Sequence, residues 1–133
     1  MEIKFVDFSI HGDNRGCLIA IESQIDVPFE IKRVYYIFDT LKDVRRGFHA
    51  HKKLSQVLIA VSGSCKIKLD NGYEQSIVEL SDPSKGLIVG NNMWREMYDF
   101  APGTVLLVLA SENYNEEDYI RNYDDFIKYI KNR

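Results

Sequence analysis

Cysteine is scarce in this chain, with two residues in 133. Cys17 and Cys65 have no metal-ligand spacing, which excludes a disulfide framework and a thiolate zinc site, so both read as reduced core thiols of a cytosolic protein. Long apolar runs are absent as well, and no stretch reaches the roughly 20 residues that span a bilayer. The opening Met1-Glu2-Ile3-Lys4-Phe5 lacks the apolar centre of a signal peptide. Charge of one sign is also missing. The net charge of −3 leaves no basic footprint for nucleic acid or an acidic membrane. There is no linker, repeat or low-complexity tract. A cytoplasmic domain over residues 1–133, with one core, is the organisation these absences leave.

What is present is a rhythm of short β-type runs closed by turn signals, the pattern of an all-β sandwich or barrel. Ile3 to Phe8 alternates, Asp13-Asn14-Arg15-Gly16 turns, and Cys17 to Glu22 is β-rich. Pro28 precedes the run Ile31 to Phe38. Gln56 to Val61, Cys65 to Leu69 and Ser76 to Leu80 follow, with Ser62-Gly63 and Asp70-Asn71-Gly72 as hairpin signals. After the turn at Asp82 to Gly86, Leu87 to Val89 and Thr104 to Ala110 complete the set. Only the tail changes period. Asn115 reads as the N-cap of an amphipathic helix, with Glu116, Glu117 and Asp118 in its first turn and Tyr119, Tyr123, Phe126, Ile127 and Ile130 as its stripe.

Histidine is rare too, and two of the three lie together in Arg46-Gly47-Phe48-His49-Ala50-His51-Lys52. Positions i and i+2 of a strand share a face, so His49 and His51 project together. Imidazole moves protons near neutral pH and also ligates metals, so the pair marks a proton-transfer site or half of a metal site. In the run before it, alternation sets Arg33, Tyr35 and Ile37 on one face, suited to a polar cavity. Val34, Tyr36 and Phe38 fall on the other, suited to packing between sheets. An inward Arg33 needs an anionic partner. Arg45 and Arg46 stand close enough to the histidines to suggest a phosphate site.

The His49-Ala50-His51 motif, with Gln56 after four intervening residues and Gly63 after six more, resembles the first motif of the cupins. Gly90-Asn91-Asn92-Met93-Trp94-Arg95-Glu96-Met97 resembles the second. A neutral amide, Gln56, and a cation, Arg95, then occupy two of four metal-ligand positions, which implies a metal-free cupin without a cofactor. Ile31-Lys32-Arg33-Val34-Tyr35-Tyr36-Ile37-Phe38-Asp39-Thr40, Arg46 to Lys53, Gly63-Ser64-Cys65 and Asp118-Tyr119-Ile120-Arg121 narrow the likeness to the cupin-type, WxcM-like dTDP-sugar 3,4-ketoisomerases. The likeness covers essentially the whole chain. Arg95 departs from it, since the family pattern places His there.

This resemblance implies a jelly-roll β-barrel of two antiparallel sheets with a C-terminal helix, and a homodimer. It implies an isomerase that moves the ketone of dTDP-4-keto-6-deoxyglucose from C4 to C3 through an enediol, toward 3-amino-3,6-dideoxy sugars of surface polysaccharide. His49 is then the base at C3, with His51 assisting transfer between the oxygens or reprotonating C4. Tyr35 is the donor at the enediolate, while Arg33 and Arg46 hold the pyrophosphate and Arg95 the sugar or a phosphate. Arg15-Gly16 resembles the loop of members whose product is galacto-configured, which places Arg15 among the substrate-binding residues. The alternatives are a 3- or 3,5-epimerase of the same substrates and a non-catalytic sugar-binding cupin module.

Overall fold

The computed structural model describes residues 1–133, and its regular structure is mostly antiparallel strands. In chain order these are β1 (Phe5–Asp7), β2 (His11–Asp13), β3 (Gly16–Leu18), β4 (Arg33–Phe38), β5 (Arg46–His51) and β6 (Gln56–Ser62). Then come β7 (Cys65–Asp70), β8 (Gln75–Leu80), β9 (Lys85–Val89), β10 (Trp94–Tyr98), β11 (Val105–Ala110), β12 (Tyr119–Ile120) and the helix α1 (Tyr123–Lys131). One five-stranded sheet has the order β1-β9-β6-β11-β4 and the other β12-β5-β10-β7-β8. The β2–β3 hairpin pairs only with itself.

Period-two alternation fills the space between the two sheets. Leu58 and Ala60 of β6, Ile67 and Leu69 of β7, Met97 of β10 and Leu106 and Val108 of β11 meet in one buried cluster, with Tyr35 and Ile37 packed against it. The opposite faces are covered separately. Val57, Ile59 and Leu109 lie under Phe8 and Val27. Ala50 and Trp94 lie under Ile120, Phe126 and Ile130. Gly63 closes the β6–β7 hairpin at φ +73°, where a Cβ would fall 2.3 Å from Thr104 Oγ1.

Five expectations change. Asn115 caps a single 3₁₀ turn, Glu116–Asp118, and not the helix. The next two residues, Tyr119 and Ile120, pair with His51 and Ala50 at the edge of β5, and α1 starts only after Asn122, whose side chain accepts from Asp125 N. The strand expected over Cys17 to Glu22 is three residues long. Cys17 is exposed, because no layer packs on the β2–β3 arm, whereas Cys65 is buried and its thiol is pushed up to about 12 by burial. Val34, Tyr36 and Phe38 do not pack between sheets. β4 is an edge strand with nothing over its outer face, so these three are exposed while Arg33, Tyr35 and Ile37 turn inward. Trp94–Tyr98, absent from the expected strands, lies in the second sheet between β5 and β7.

Candidate active site

β4 of one sheet and β5 of the other meet the 114–121 segment around one cavity. Its volume is about 610 Å³, within the range of small-ligand sites. Arg33, Tyr35 and Ile37 line it from the inner face of β4, with Tyr36 and Phe38 at its edge, Arg46, Gly47 and His49 from β5, Met97 from β10, and Tyr114, Tyr119 and Arg121 from the segment after β11.

Arg46 reaches this cavity through a break in alternation. Residues 46 and 49 belong to opposite faces of a regular strand. Here Arg95 pairs with His49 and Glu96 with Gly47, leaving Phe48 unmatched. Gly47 and Phe48 adopt φ +92° and +58°, a β-bulge that resets the parity. Only glycine suits position 47, since a Cβ there would lie 2.9 Å from the Arg95 carbonyl oxygen. The bulge also turns the Gly47 carbonyl toward the His49 ring, which donates from Nδ1 at 3.1 Å. A carbonyl only accepts, so the His49 proton sits on Nδ1 and Nε2 keeps a free lone pair.

His51 follows the same logic one layer deeper. Its side chain is fully buried and does not line the cavity. Nδ1 donates to Asp118 Oδ2 at 3.1 Å, and the same carboxylate accepts from Lys53 N at 2.8 Å and Leu54 N at 3.3 Å. Nε2 has no partner. The two imidazoles stand edge to face, 5.0 Å between centroids, with the Tyr119 ring against both. Burial, then the charge of Arg95, lowers the pKa of His49 to about 4. The same two causes, in the same order, hold His51 far below the ordinary imidazole range. Both rings are therefore neutral at pH 7, with Nε2 as a base.

Arg95 supplies that field from behind the cavity wall. It is fully buried, donating from Nη1 to Gln56 Oε1 at 2.6 Å and from Nη2 to the Met93 carbonyl at 2.9 Å. Burial lowers its pKa to about 10, which leaves it cationic. Gln56 in turn donates from Nε2 to Tyr35 Oη at 3.1 Å. These residues do not suit a divalent ion. The Gln56 amide oxygen is taken by a guanidinium, and a fixed cation repels a metal.

Cations gather at the cavity rim. Arg33 lies over the Tyr35 ring at 5.0 Å and the Tyr114 ring at 5.5 Å, and its buried Nε has no partner. Arg46 and Arg121 add two more cations, although Arg121 is already forked onto Glu116 at 2.6 and 2.8 Å. Arg15 is elsewhere. It sits at the tip of the β2–β3 arm, paired with Asp13 at 2.6 Å, beside a separate hollow. Sequence reasoning about single residues missed Gln56 as a partner of Tyr35, Asp118 as the acceptor for His51, and Tyr114, Tyr119 and Arg121 as lining. The block Asp118 to Arg121 was the available signal for three of them, and Tyr114 had none.

A lone pair on His49 Nε2 with a pKa near 4 has a kinetic consequence. A protonated ring has no lone pair to accept a proton, so with His49 as base kcat/KM should stay flat from neutrality down to about pH 5 and halve near pH 4, where an ordinary imidazole would halve near 6.5. Stability carries the same sign. The folded-state pKa lies below the unfolded one, so stability is full above pH 6.5 and is lost as pH falls through the folded value. Rates over pH 4–8, each paired with a melting curve, separate the two. An acid limb at 6.5 in folded enzyme would contradict the neutral buried pair.

Residues 1–131 match the family described as FdtA, WxcM-like, C-terminal. The TDP-4-oxo-6-deoxy-alpha-D-glucose-3,4-oxoisomerase of Aneurinibacillus thermoaerophilus is 53% identical over 98% of this chain and 94% of that protein. A sugar 3,4-ketoisomerase from Thermoanaerobacterium thermosaccharolyticum, solved with TDP, superposes with a TM-score of 0.96 at 55% identity, covering 98% of this chain and 96% of that one. A variant of that enzyme was solved with TDP-4-keto-6-deoxyglucose. A 3,4-ketoisomerase from Helicobacter canadensis gives a TM-score of 0.95 at 52% identity over 98% of both chains. A neutral imidazole pair, a buried phenol and a rim of guanidinium groups thus sit in a chain that belongs to the FdtA, WxcM-like family.

Proposed function

We propose that residues 1–133 form one domain acting as a dTDP-4-keto-6-deoxyglucose 3,4-ketoisomerase, and that the cavity on β4 and β5 is its active site. The observation that carries this reading is His49, a neutral base lining a cavity that also presents a phenol and unpaired guanidinium groups. The 3,4-isomerases reported above support it, and none of them is named for epimerisation.

The C4 ketone acidifies the neighbouring C3–H, and His49 Nε2 removes that proton to give an enediol. Tyr35, protonated at neutral pH and with its pKa raised further by burial, donates at the oxygen where charge develops. Reprotonation at C4 and transfer of a proton from O3 to O4 leave the ketone at C3, with no redox cofactor. His51 holds a neutral ring beside the His49 imidazolium that forms. Arg33 and Arg46 grip the pyrophosphate. Arg46→Ala should therefore raise the Kd for TDP by roughly ten- to a hundredfold, the worth of a charge-assisted hydrogen bond, while kcat changes little. Calorimetric titration with TDP checks it, and unchanged affinity would remove Arg46 from the site.

The functional unit in this reading is a cytoplasmic homodimer. Val34, Tyr36 and Phe38 leave 54, 60 and 58% of their surface exposed on the edge strand β4, an apolar strip that a second copy covers. The β2–β3 arm has no packing partner in its own chain, so Arg15 contributes to substrate binding only by reaching another copy's cavity. Sedimentation at micromolar concentration should give a dimer, and a monomer would refute this part. The product serves as precursor of a 3-amino-3,6-dideoxy sugar for surface polysaccharide such as lipopolysaccharide O-antigen. The Arg15-Gly16 loop favours the galacto configuration at C4. NMR of the product tests both points: a ketone at C3 is expected, with a small H4–H5 coupling for galacto. A ketone retained at C4 with C3 inverted would mean epimerase, and tight binding without turnover a non-catalytic module.

A further inference from the structure

We propose that Gln56 is a positioning residue for the keto shift, and that its amide, clamped by Arg95, forces Tyr35 to present its hydroxyl proton to the cavity. The inference deepens the ketoisomerase reading and rests on it.

The direction of the hydrogen bonds follows from chemistry alone. A guanidinium has donors and no acceptor, so the Gln56 atom lying 2.6 Å from Arg95 Nη1 is the amide oxygen. The amide nitrogen therefore faces Tyr35 Oη at 3.1 Å, and an NH₂ group only donates. The phenol oxygen is an acceptor in this contact, and its single proton must point elsewhere. Tyr35 lines the cavity, so that proton is available to a bound oxygen. Arg95 cannot drift from this arrangement. Its Nε and Nη2 both hold the Met93 carbonyl, and the residue is fully buried. Gln56 is likewise fully buried at the start of β6.

The same chain stabilises Tyr35 after it gives up its proton. As His49 Nε2 takes the C3 proton, the C3–H pair becomes the C3–C4 π bond and the C4 carbonyl pair moves onto O4, which takes the Tyr35 proton. The phenolate is then held by an amide N–H polarised by a cation. In the return half, phenolate takes the proton of O3–H as C3 becomes a carbonyl, and the C3–C4 π pair takes the proton from His49 at C4. Both groups end as they began, and Tyr35 has carried one proton from O3 to O4.

Gln56→Glu tests this with almost no change in shape. The carboxylate keeps Arg95 as partner but cannot donate, so Tyr35 turns its O–H toward it and away from the cavity. We expect kcat to fall roughly ten- to a hundredfold, with KM and TDP affinity within about twofold of wild type. In a Tyr35→Phe background the same substitution should change kcat by less than about twofold, because its effect runs through the phenol. An undiminished kcat in Gln56→Glu, or an equal loss with and without Tyr35, would overturn the proposal. The second outcome would assign the loss to the altered field on the histidines. Should the glutamate variant not fold, Gln56→Asn runs the same cycle, since its shorter amide cannot hold both contacts.

Discussion

His49→Asn should lower turnover by roughly two or more orders of magnitude, the usual worth of general acid–base catalysis, with TDP affinity nearly unchanged. The asparagine amide has no basic nitrogen, so the C3 proton loses its acceptor. The structural cost is small. His49 makes one hydrogen bond, to the Gly47 carbonyl, of about 1 kcal/mol, and the cations of the rim stay in place. A coupled assay of product formation beside a TDP titration separates the two effects. An active variant would move the base to Tyr35 or His51.

The second large effect belongs to Asp118→Asn. The carboxylate fixes the proton of His51 on Nδ1 and also caps two backbone N–H groups after β5. An amide there keeps an oxygen for Lys53 N but turns an NH₂ toward His51, which must then accept at Nδ1 and carry its proton on Nε2. That exchanges the free Nε2 lone pair of a ring 5.0 Å from His49 for an N–H, which would disfavour an imidazolium at His49. Turnover should fall about a hundredfold, by analogy with the tautomer-fixing aspartate of serine proteases, where the loss is larger. Stability should fall by only about 1–2 kcal/mol, for the weakened backbone contacts. Nitrogen NMR of the imidazoles, read with the melting temperature, distinguishes the roles. A lower melting temperature with unchanged tautomer and turnover would make Asp118 a structural cap alone.

Features that depend on local pattern were legible in the sequence. Alternation placed His49 and His51 on one face and turned Arg33, Tyr35 and Ile37 inward. Asp70-Asn71-Gly72 marked the turn between β7 and β8, where Asn71 N bonds the Glu74 carbonyl. Features set by tertiary partners were hidden. The acids at 116–118 suit a helix N-terminus equally well, and nothing local shows that Asp118 is needed 67 positions away at His51. Gly47 hints at irregular backbone, but the positive φ of Phe48 belongs to a bulge that only the register against β10 reveals. That bulge is why Arg46 reaches the cavity. β10 escaped notice because both of its faces are covered. Arg95 and Met97 point between the sheets while Trp94 packs under α1, so neither alternation nor helical period stands out. The outer face of β4 is apolar like a core face, and only the layer order shows that its own chain leaves it bare.

The central claim is that His49 takes a proton from C3 and that the ketone then settles there. Turnover of dTDP-4-keto-6-deoxyglucose in D₂O, followed by proton NMR, tests it most directly. Because a base open to the cavity can exchange its proton with solvent, wild-type enzyme should give a 3-keto product carrying deuterium at C4, and His49→Asn should give neither product nor label. A 4-keto sugar that gains deuterium at C3 with inverted configuration, or a labelled product formed at full rate by His49→Asn, would contradict the account.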